Sequence, residues 1–363
     1  MANYLDLHII RNFPLSCLVR DENGSPKTMT FGGTTRARIS SQSEKRPIRL
    51  YEKELDKVHF GGIRTRAIAT DILNGLTAKG MSQDLANSLS NSVADEYGTL
   101  EKEKTKTVLF FSAGEINAMV NEIISAEKEG KIDKLFKTKK KDGKVTYKFN
   151  GFSNNLLKNS TIVDIADIAM FGRMVASAPD LSEEGASSFA HMFSVHTCEN
   201  EIDFFSAVDE SSTKSDTGSG HIGELEFNSA CYYGCISVNL NIFNESRLKN
   251  LPMEARKDIL KLFIESCIVT VPGARHNSMF AATMPSSVLG LVRKNTFPLS
   301  LANAYEKPIR PSSNGYTEEA RKRLELELNK TKETYGRRFG LVKELWFPDN
   351  NLDFFMEGLV DNA

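Results

Sequence analysis

The sequence has no apolar run of about eighteen residues, the length a membrane-spanning helix needs. Its first residues, MANYLDLHIIRNF, lack the basic start and apolar block of a secretory signal. No membrane partner and a cytoplasmic location are therefore expected. The five cysteines (Cys17, Cys198, Cys231, Cys235 and Cys267) are odd in number and contain no C-x-x-C pair, so buried thiols rather than a disulfide framework are expected. Neither a Walker-type Gly-Lys-Ser/Thr loop nor a G-x-G-x-x-G after a strand is present. No serine stands in a nucleophile-elbow pattern. Charge of one sign is lacking too: 46 Lys and Arg face 47 Asp and Glu, a formal net charge of -1. Such balance argues against coating nucleic acid in bulk and leaves room for one local basic groove.

What is present is material for a large core: 363 residues, 40% of them hydrophobic. At the N-terminus, Leu5, Leu7 and Ile9 alternate with Asp6 and His8, as in a strand. The Asn-Gly and Ser-Pro pairs of DENGSPK predict a turn before a second β segment. Residues 60–127 carry apolar residues at three-to-four spacing in three stretches, which predicts helices. Residues 188–206 and 221–245 read as extended, around the polar loop or hairpin tip ESSTKSDTGSG at 210–220. A helix over EARKDILKLFIESCIVTV leads into PGARHNSMFAATMPSSVLGLVRK, which reads as strands, and 317–345 read as one charged surface helix. Interleaved β and helical stretches, with a helix-rich block between β-rich parts, predict an α+β fold whose sheet is assembled from both ends of the chain.

Charge is locally uneven. Residues 30–50, TFGGTTRARISSQSEKRPIRL, hold Arg36, Arg38, Lys45, Arg46 and Arg49 against Glu44 alone. Ser41-x-x-Glu44 fits a capping box. Pro47 tolerates only an early helix position, which favours Ser43 as the cap. Either start puts Gln42, Lys45, Arg46 and Arg49 at i, i+3, i+4 and i+7 on one face, with Ile48, Tyr51 and Leu55 on another. A basic stripe at a helix N-terminus suits phosphate, Ser40, Ser41 and Ser43 add neutral hydrogen bonds, and Gly32 and Gly33 permit close backbone approach. A second basic run, 128–148, holds nine lysines against Glu129, Asp133 and Asp142. It reads either as a solvated surface segment or as a contact for a polyanion.

Candidate chemistry is thin. His191, His196 and Cys198 lie close in sequence without zinc-like spacing, so packed or hydrogen-bonded residues are expected there. Asp164 and Asp167 suit a helix or turn face as well as paired catalysis. No catalytic residue, cofactor or metal is expected.

Six blocks occur in order: RISSQSEKR at 38–46, GRM at 172–174, DFFSAVDE at 203–210, HIGELEFNSACYY at 221–233, VPGAR at 271–275 and LANAYEKPI at 301–309. Together they resemble the CasC (Cse-four) family, the Cas-seven-type backbone subunit of the type I-E CRISPR Cascade complex. The resemblance implies an RRM-like (ferredoxin-like) palm over 1–57 and 188–363, helical fingers over 58–187, and a β-hairpin thumb over 200–230. It implies a subunit that polymerises head to tail with copies of itself along a CRISPR RNA and presents the guide to target DNA. The other partners would be the large, small, guide-processing and 5′-end-capping subunits. The usual RRM aromatic signature is absent. The resemblance makes Ser40, Gln42, Lys45 and Arg49 guide contacts, with Arg46 as companion and Arg20, Lys27 and Arg38 in the matching palm segment. It makes Met174, beside Arg173, a wedge between bases. It puts Phe204 and Phe205 beside the distorted duplex, and Arg275, Lys307 and Arg310 at late palm positions. The lysines of the second run, Lys137, Lys139, Lys140, Lys141 and Lys144, would attract DNA. A related alternative is a subunit that itself cleaves target RNA, with Asp21 or Asp209 as the acid.

Overall fold

The computed structural model describes residues 1–141, 144–153, 155–207 and 221–363. The expected tip at 210–220 and Asp209 lie outside them. The chain divides into two units: 1–51, 188–240 and 260–363 form the first, and 52–187 with 241–259 form the second. The resemblance places these divisions at 57/58 and 187/188 and leaves 241–259 in the first unit.

The first unit is built on an antiparallel sheet. Its four inner strands stand in the order Ser287–Thr296, Ala2–Ser16, His221–Asn239, Met192–Ser194. In chain order these are the fourth, first, third and second strands. The helix Ser41–Leu55 follows the first, and the helix Met253–Val269 precedes the fourth. This is the βαββαβ order of a ferredoxin-like core, so the fold expected from the sequence is found. The hairpin Thr28–Phe31/Thr34–Ile39 extends one edge and Leu341–Phe347 the other.

The first strand is central, and both of its faces are covered. Residues 5–11 are all buried, so the alternation of Asp6 and His8 marks a second covered face rather than a wet one. Asp6 and His8 each find a partner, although His8 Nε2 has none. Asp6 accepts from Ser237 and pairs with Arg293 at 2.8 Å. The Nδ1 of His8 lies 2.9 Å from the Tyr233 hydroxyl. Burial, with Arg293 nearby, lowers the His8 pKa to about 3, so the ring is neutral. On that face Ile10, Leu289 and Leu291 pack with Leu324 and Leu328 of the helix Thr317–Tyr335. The charged pattern 317–345 is thus not one helix. Gly336, at φ +48°, ends it, and Leu341–Phe347 pairs as a strand. Strand structure in the segment after Val269 begins only at Ser287; 272–286 is a loop.

The second unit has its own core around the helices Ile68–Ala78, Gln83–Gly98 and Ala113–Lys128. Short strands Gly62–Thr65 and Leu109–Ser112 pair among them, in a region the sequence reads as mostly helical. The lysine run folds as the hairpin Phe136–Lys141/Lys144–Phe149. Phe136 and Phe149 are buried and lie 5.3 Å apart by ring centroid, which anchors its base.

Candidate nucleic-acid interface

The basic helix begins at Ser41, and Pro47 lies inside it. The expected late start at Ser43 is therefore corrected: the Ser43 hydroxyl donates to the Ser40 carbonyl at 2.6 Å. Proline here forfeits one helical hydrogen bond, to the Ser43 carbonyl. Glu44 turns inward. It is buried beside Arg11 and accepts from the Met192 backbone, and burial pushes its pKa up to about 8. Arg11 in turn donates to the carbonyls of Thr270 (2.6 Å) and Ile268, capping the C-terminal end of the helix Met253–Val269. The one acid of 30–50 is thus removed from the surface, and Glu52, the next acid along the stripe of Gln42, Lys45, Arg46 and Arg49, is buried as well. Ile48 is buried and Tyr51 half-buried, donating to Glu265 at 2.6 Å. Leu55, expected on that inner face, is 57% exposed, because it lies in the last turn, beyond the residues that pack on the sheet.

Three elements bring cations together. Arg38, on the hairpin strand, has its Nη1 2.9 Å from His191 Nδ1 and donates from Nε to Thr28. Lys45, on the helix, holds its ammonium 5.0 Å from the centroid of Phe189. Lys27 lies close enough to His191 to lower its pKa, after partial burial and Arg38. Lys27, Arg38 and Lys45 therefore converge on Phe189–His191, beside the N-terminus of the basic helix. Ser40 is buried, its hydroxyl 3.3 Å from that of Ser43. Gln42 and Arg46 are exposed. A short way off, Arg20 and Arg275 both act on Cys17, offsetting part of the rise that burial imposes on its thiol. Among the described residues Arg20, Lys27 and Arg46 enter no ion pair. Sequence reasoning missed Phe189 and read His191 as a packed or hydrogen-bonded residue, with no place in a binding site.

Lys307 and Arg310 line a separate cavity of ≈ 750 Å³ with Lys322 and Arg323. Arg323 is committed to Glu319 and the Lys307 carbonyl. Gly32 serves this corner rather than an anion: at φ +61°, a Cβ on it would lie 1.7 Å from the Glu306 carbonyl oxygen.

In the second unit Arg173 and Met174 part company. Arg173, expected as a guide contact, is 5% exposed. Its guanidinium pairs with Glu115 at 2.7 Å and Glu183 at 3.2 Å and donates to the Leu181 carbonyl. Arg247 pairs with the same two carboxylates at 2.5 and 3.1 Å. Glu115 also closes a capping box with Ser112 at the start of the helix Ala113–Lys128. The Ser-Ala-Gly-Glu spacing was the readable signal for that role. Arg173 is therefore an internal brace, and the correction follows from its burial. Met174 is 86% exposed. The bridge Arg173↔Glu183 and the Val175 N–H on Ser182 fix the backbone on either side of it. A core role for this methionine is ruled out.

Phe204 and Phe205 are 67% and 40% exposed on a two-stranded ribbon, opposite Glu224 and Gly223. Lys137 and Lys139 are exposed on the second hairpin, with Lys137 directly across from Lys148. Lys140, Lys141 and Lys144 belong to its paired backbone; their side chains are outside the description. Asp21 is a turn former, accepting from the N–H groups of Asn23 and Ser25. Asp164 accepts from Ser112 and Gly114, and Asp167 from Gly62. His196 stacks on Tyr316 at 3.9 Å, with Nε2 accepting from the Cys231 N–H. No group of three metal-ligating side chains occurs among the described residues.

With this geometry in view, the family model of CT1975-like proteins matches residues 5–353. The chain belongs to the CT1975-like protein family. Similar solved structures share its whole length. One chain of a "CRISPR RNA-guided surveillance complex, pre-nicking" is 27% identical, with a TM-score of 0.81 and 99% of each chain covered. A chain of a "CRISPR RNA-guided surveillance complex" is 23% identical with a TM-score of 0.70, covering 99% of this chain and 100% of that one, a likeness of fold. No curated protein compared with it gives a match. This CT1975-like chain therefore carries the fold seen in chains of CRISPR RNA-guided surveillance complexes.

Proposed function

We propose that this chain is the CRISPR RNA-binding backbone subunit of a type I-E Cascade complex. It polymerises head to tail along the guide and presents it for pairing with target DNA in antiviral defence. The carrying observation is the convergence of Lys27, Arg38 and Lys45 on Phe189–His191 at the start of a helix whose first-turn acid, Glu44, is buried. Cations from three elements, with serine and glutamine between them, suit a phosphate backbone and leave base edges unread. The chain's net charge of -1 fits one groove rather than a general coating. The 27% likeness to a surveillance-complex chain over both full lengths supports the same reading. Met174 has the exposure a base wedge requires, and the Lys137–Lys148 hairpin has the charge to attract duplex DNA. The role proposed is binding, with no chemistry on the guide or target.

The test is the salt dependence of binding to single-stranded RNA. Losing two phosphate contacts through Lys45→Glu and Arg49→Glu lowers the log–log slope by about 1.4, at roughly 0.7 per contact. An unchanged slope and affinity in a folded double variant would remove the basic helix from the mechanism.

A further inference from the structure

Between Glu265 and Glu306 the chain has no acidic residue. Within this stretch, the loop 272–286 begins beside the basic helix: Thr270 and Pro272 share a small cavity wall with Glu44 and Pro47. It ends on the first strand, where Ser286 donates to the Ile10 carbonyl and Thr283 to that of Asn12. Its middle is a tight turn. Arg275, at φ +52°, accepts on its carbonyl from the N–H groups of Ser278 and Met279. Met279 and Ala281 point inward, 6% and 4% exposed, while Phe280 between them is 70% exposed. Its one ring neighbour among the described residues is His276, edge-on at 4.9 Å and 73°. The Arg275 side chain turns to Cys17, next to Arg20, and its buried Nε–H finds no partner.

We propose that Phe280, flanked by His276, is a stacking platform for one base of the bound RNA, with Arg275 and Arg20 on the adjoining phosphate. This rests on the guide-binding reading above. A single exposed phenylalanine is ordinary on a protein surface. This one is held outward by buried neighbours on both sides, in a segment without acid, five residues after Arg275 in the same loop. That combination of a fixed ring face and cations is how single strands are held without reading sequence. A protein partner would need no such charge. The sequence signal was faint: VPGAR drew attention to Arg275, and nothing marked Phe280.

The experiment measures the affinity of the full-length chain for a single-stranded RNA of mixed sequence. Phe280→Leu and Phe280→Trp are compared with the wild type, and 5-iodouridine photo-crosslinks are mapped by mass spectrometry. Loss of one stacked base lowers affinity about 5- to 150-fold in Phe280→Leu. Phe280→Trp keeps it, and a crosslink falls on Phe280. Wild-type affinity in Phe280→Leu with no crosslink there would overturn the platform and leave the guide-binding reading intact. Impaired assembly on RNA with unchanged affinity for RNA would also overturn it, pointing to a second copy of the chain at this ring. A wild-type chain that binds no RNA would overturn both.

Discussion

Arg173 and Met174 are neighbours in sequence with opposite predicted phenotypes. Truncating Glu115 to alanine leaves the Arg173 guanidinium buried with only Glu183, itself partly exposed, and removes one of two carboxylates from Arg247. Breaking a buried pair by removing one partner costs about 3–5 kcal/mol. Losing the capping box adds roughly 1 kcal/mol. Arg173→Ala is expected at the lower end of that range, because Glu115 keeps Arg247 at 2.5 Å. Met174→Ala removes a side chain that is 86% exposed and should change stability by less than about 0.5 kcal/mol. For a unit of this size, 2–4 °C per kcal/mol makes the Glu115→Ala shift about 8–24 °C. Thermal melts followed by circular dichroism, with urea midpoints as a second measure, separate the three variants. The functional order should be reversed: Met174→Ala, fully folded, distorts the guide or target less when probed by base reactivity in the assembled complex. A Glu115→Ala protein as stable as the wild type, or a Met174→Ala protein that melts early, would refute the division of roles.

Three further outcomes are expected. A Glu44 carboxyl with a folded pKa of about 8, against the ordinary 4.5 of a glutamic acid, binds its proton more tightly in the folded state. Its contribution to stability is full below about pH 4.5 and is lost as pH rises through 8, so the stability of the wild type relative to Glu44→Gln should fall between pH 5.5 and pH 8.5. A rise in that difference would contradict the burial argument. Gly32→Ala should cost about 1–3 kcal/mol in urea unfolding, more than Gly33→Ala, because both residues have positive φ but only Gly32 faces backbone within contact; equal costs would mean the Glu306 loop yields freely. Lys137→Glu should stabilise its hairpin by replacing the repulsion across from Lys148 with attraction, and should weaken binding of duplex DNA. Unchanged DNA binding would make the lysine hairpin a solvated surface only.

The sheet was legible in its alternating apolar residues, and the ordered blocks of resemblance carried the ferredoxin-like order. The basic helix face was legible from i, i+3, i+4 and i+7 spacing, since that geometry is local. Its start was not, because Pro47 was weighed against an isolated helix, while packing of Ile48 and Glu44 on the sheet offsets the lost hydrogen bond. Glu44 looked like part of the surface charge. Only the long-range meeting with Arg11, on a strand more than thirty residues earlier, takes it inside. Arg173 misled for the same reason: its partners Glu115, Glu183 and Arg247 come from scattered positions that no spacing rule connects. The charged pattern after 317 hid a helix end and an edge strand, because charged residues suit both when one face is wet.

The central claim is that this chain holds a guide RNA. The most direct measurement is to co-express it with a CRISPR RNA precursor and its processing subunit, purify it and sequence the nucleic acid that comes with it. RNA of one discrete guide length is expected, running with a large assembly and absent from the Lys45→Glu, Arg49→Glu variant. A nucleic-acid-free monomer that also ignores added guide would contradict it.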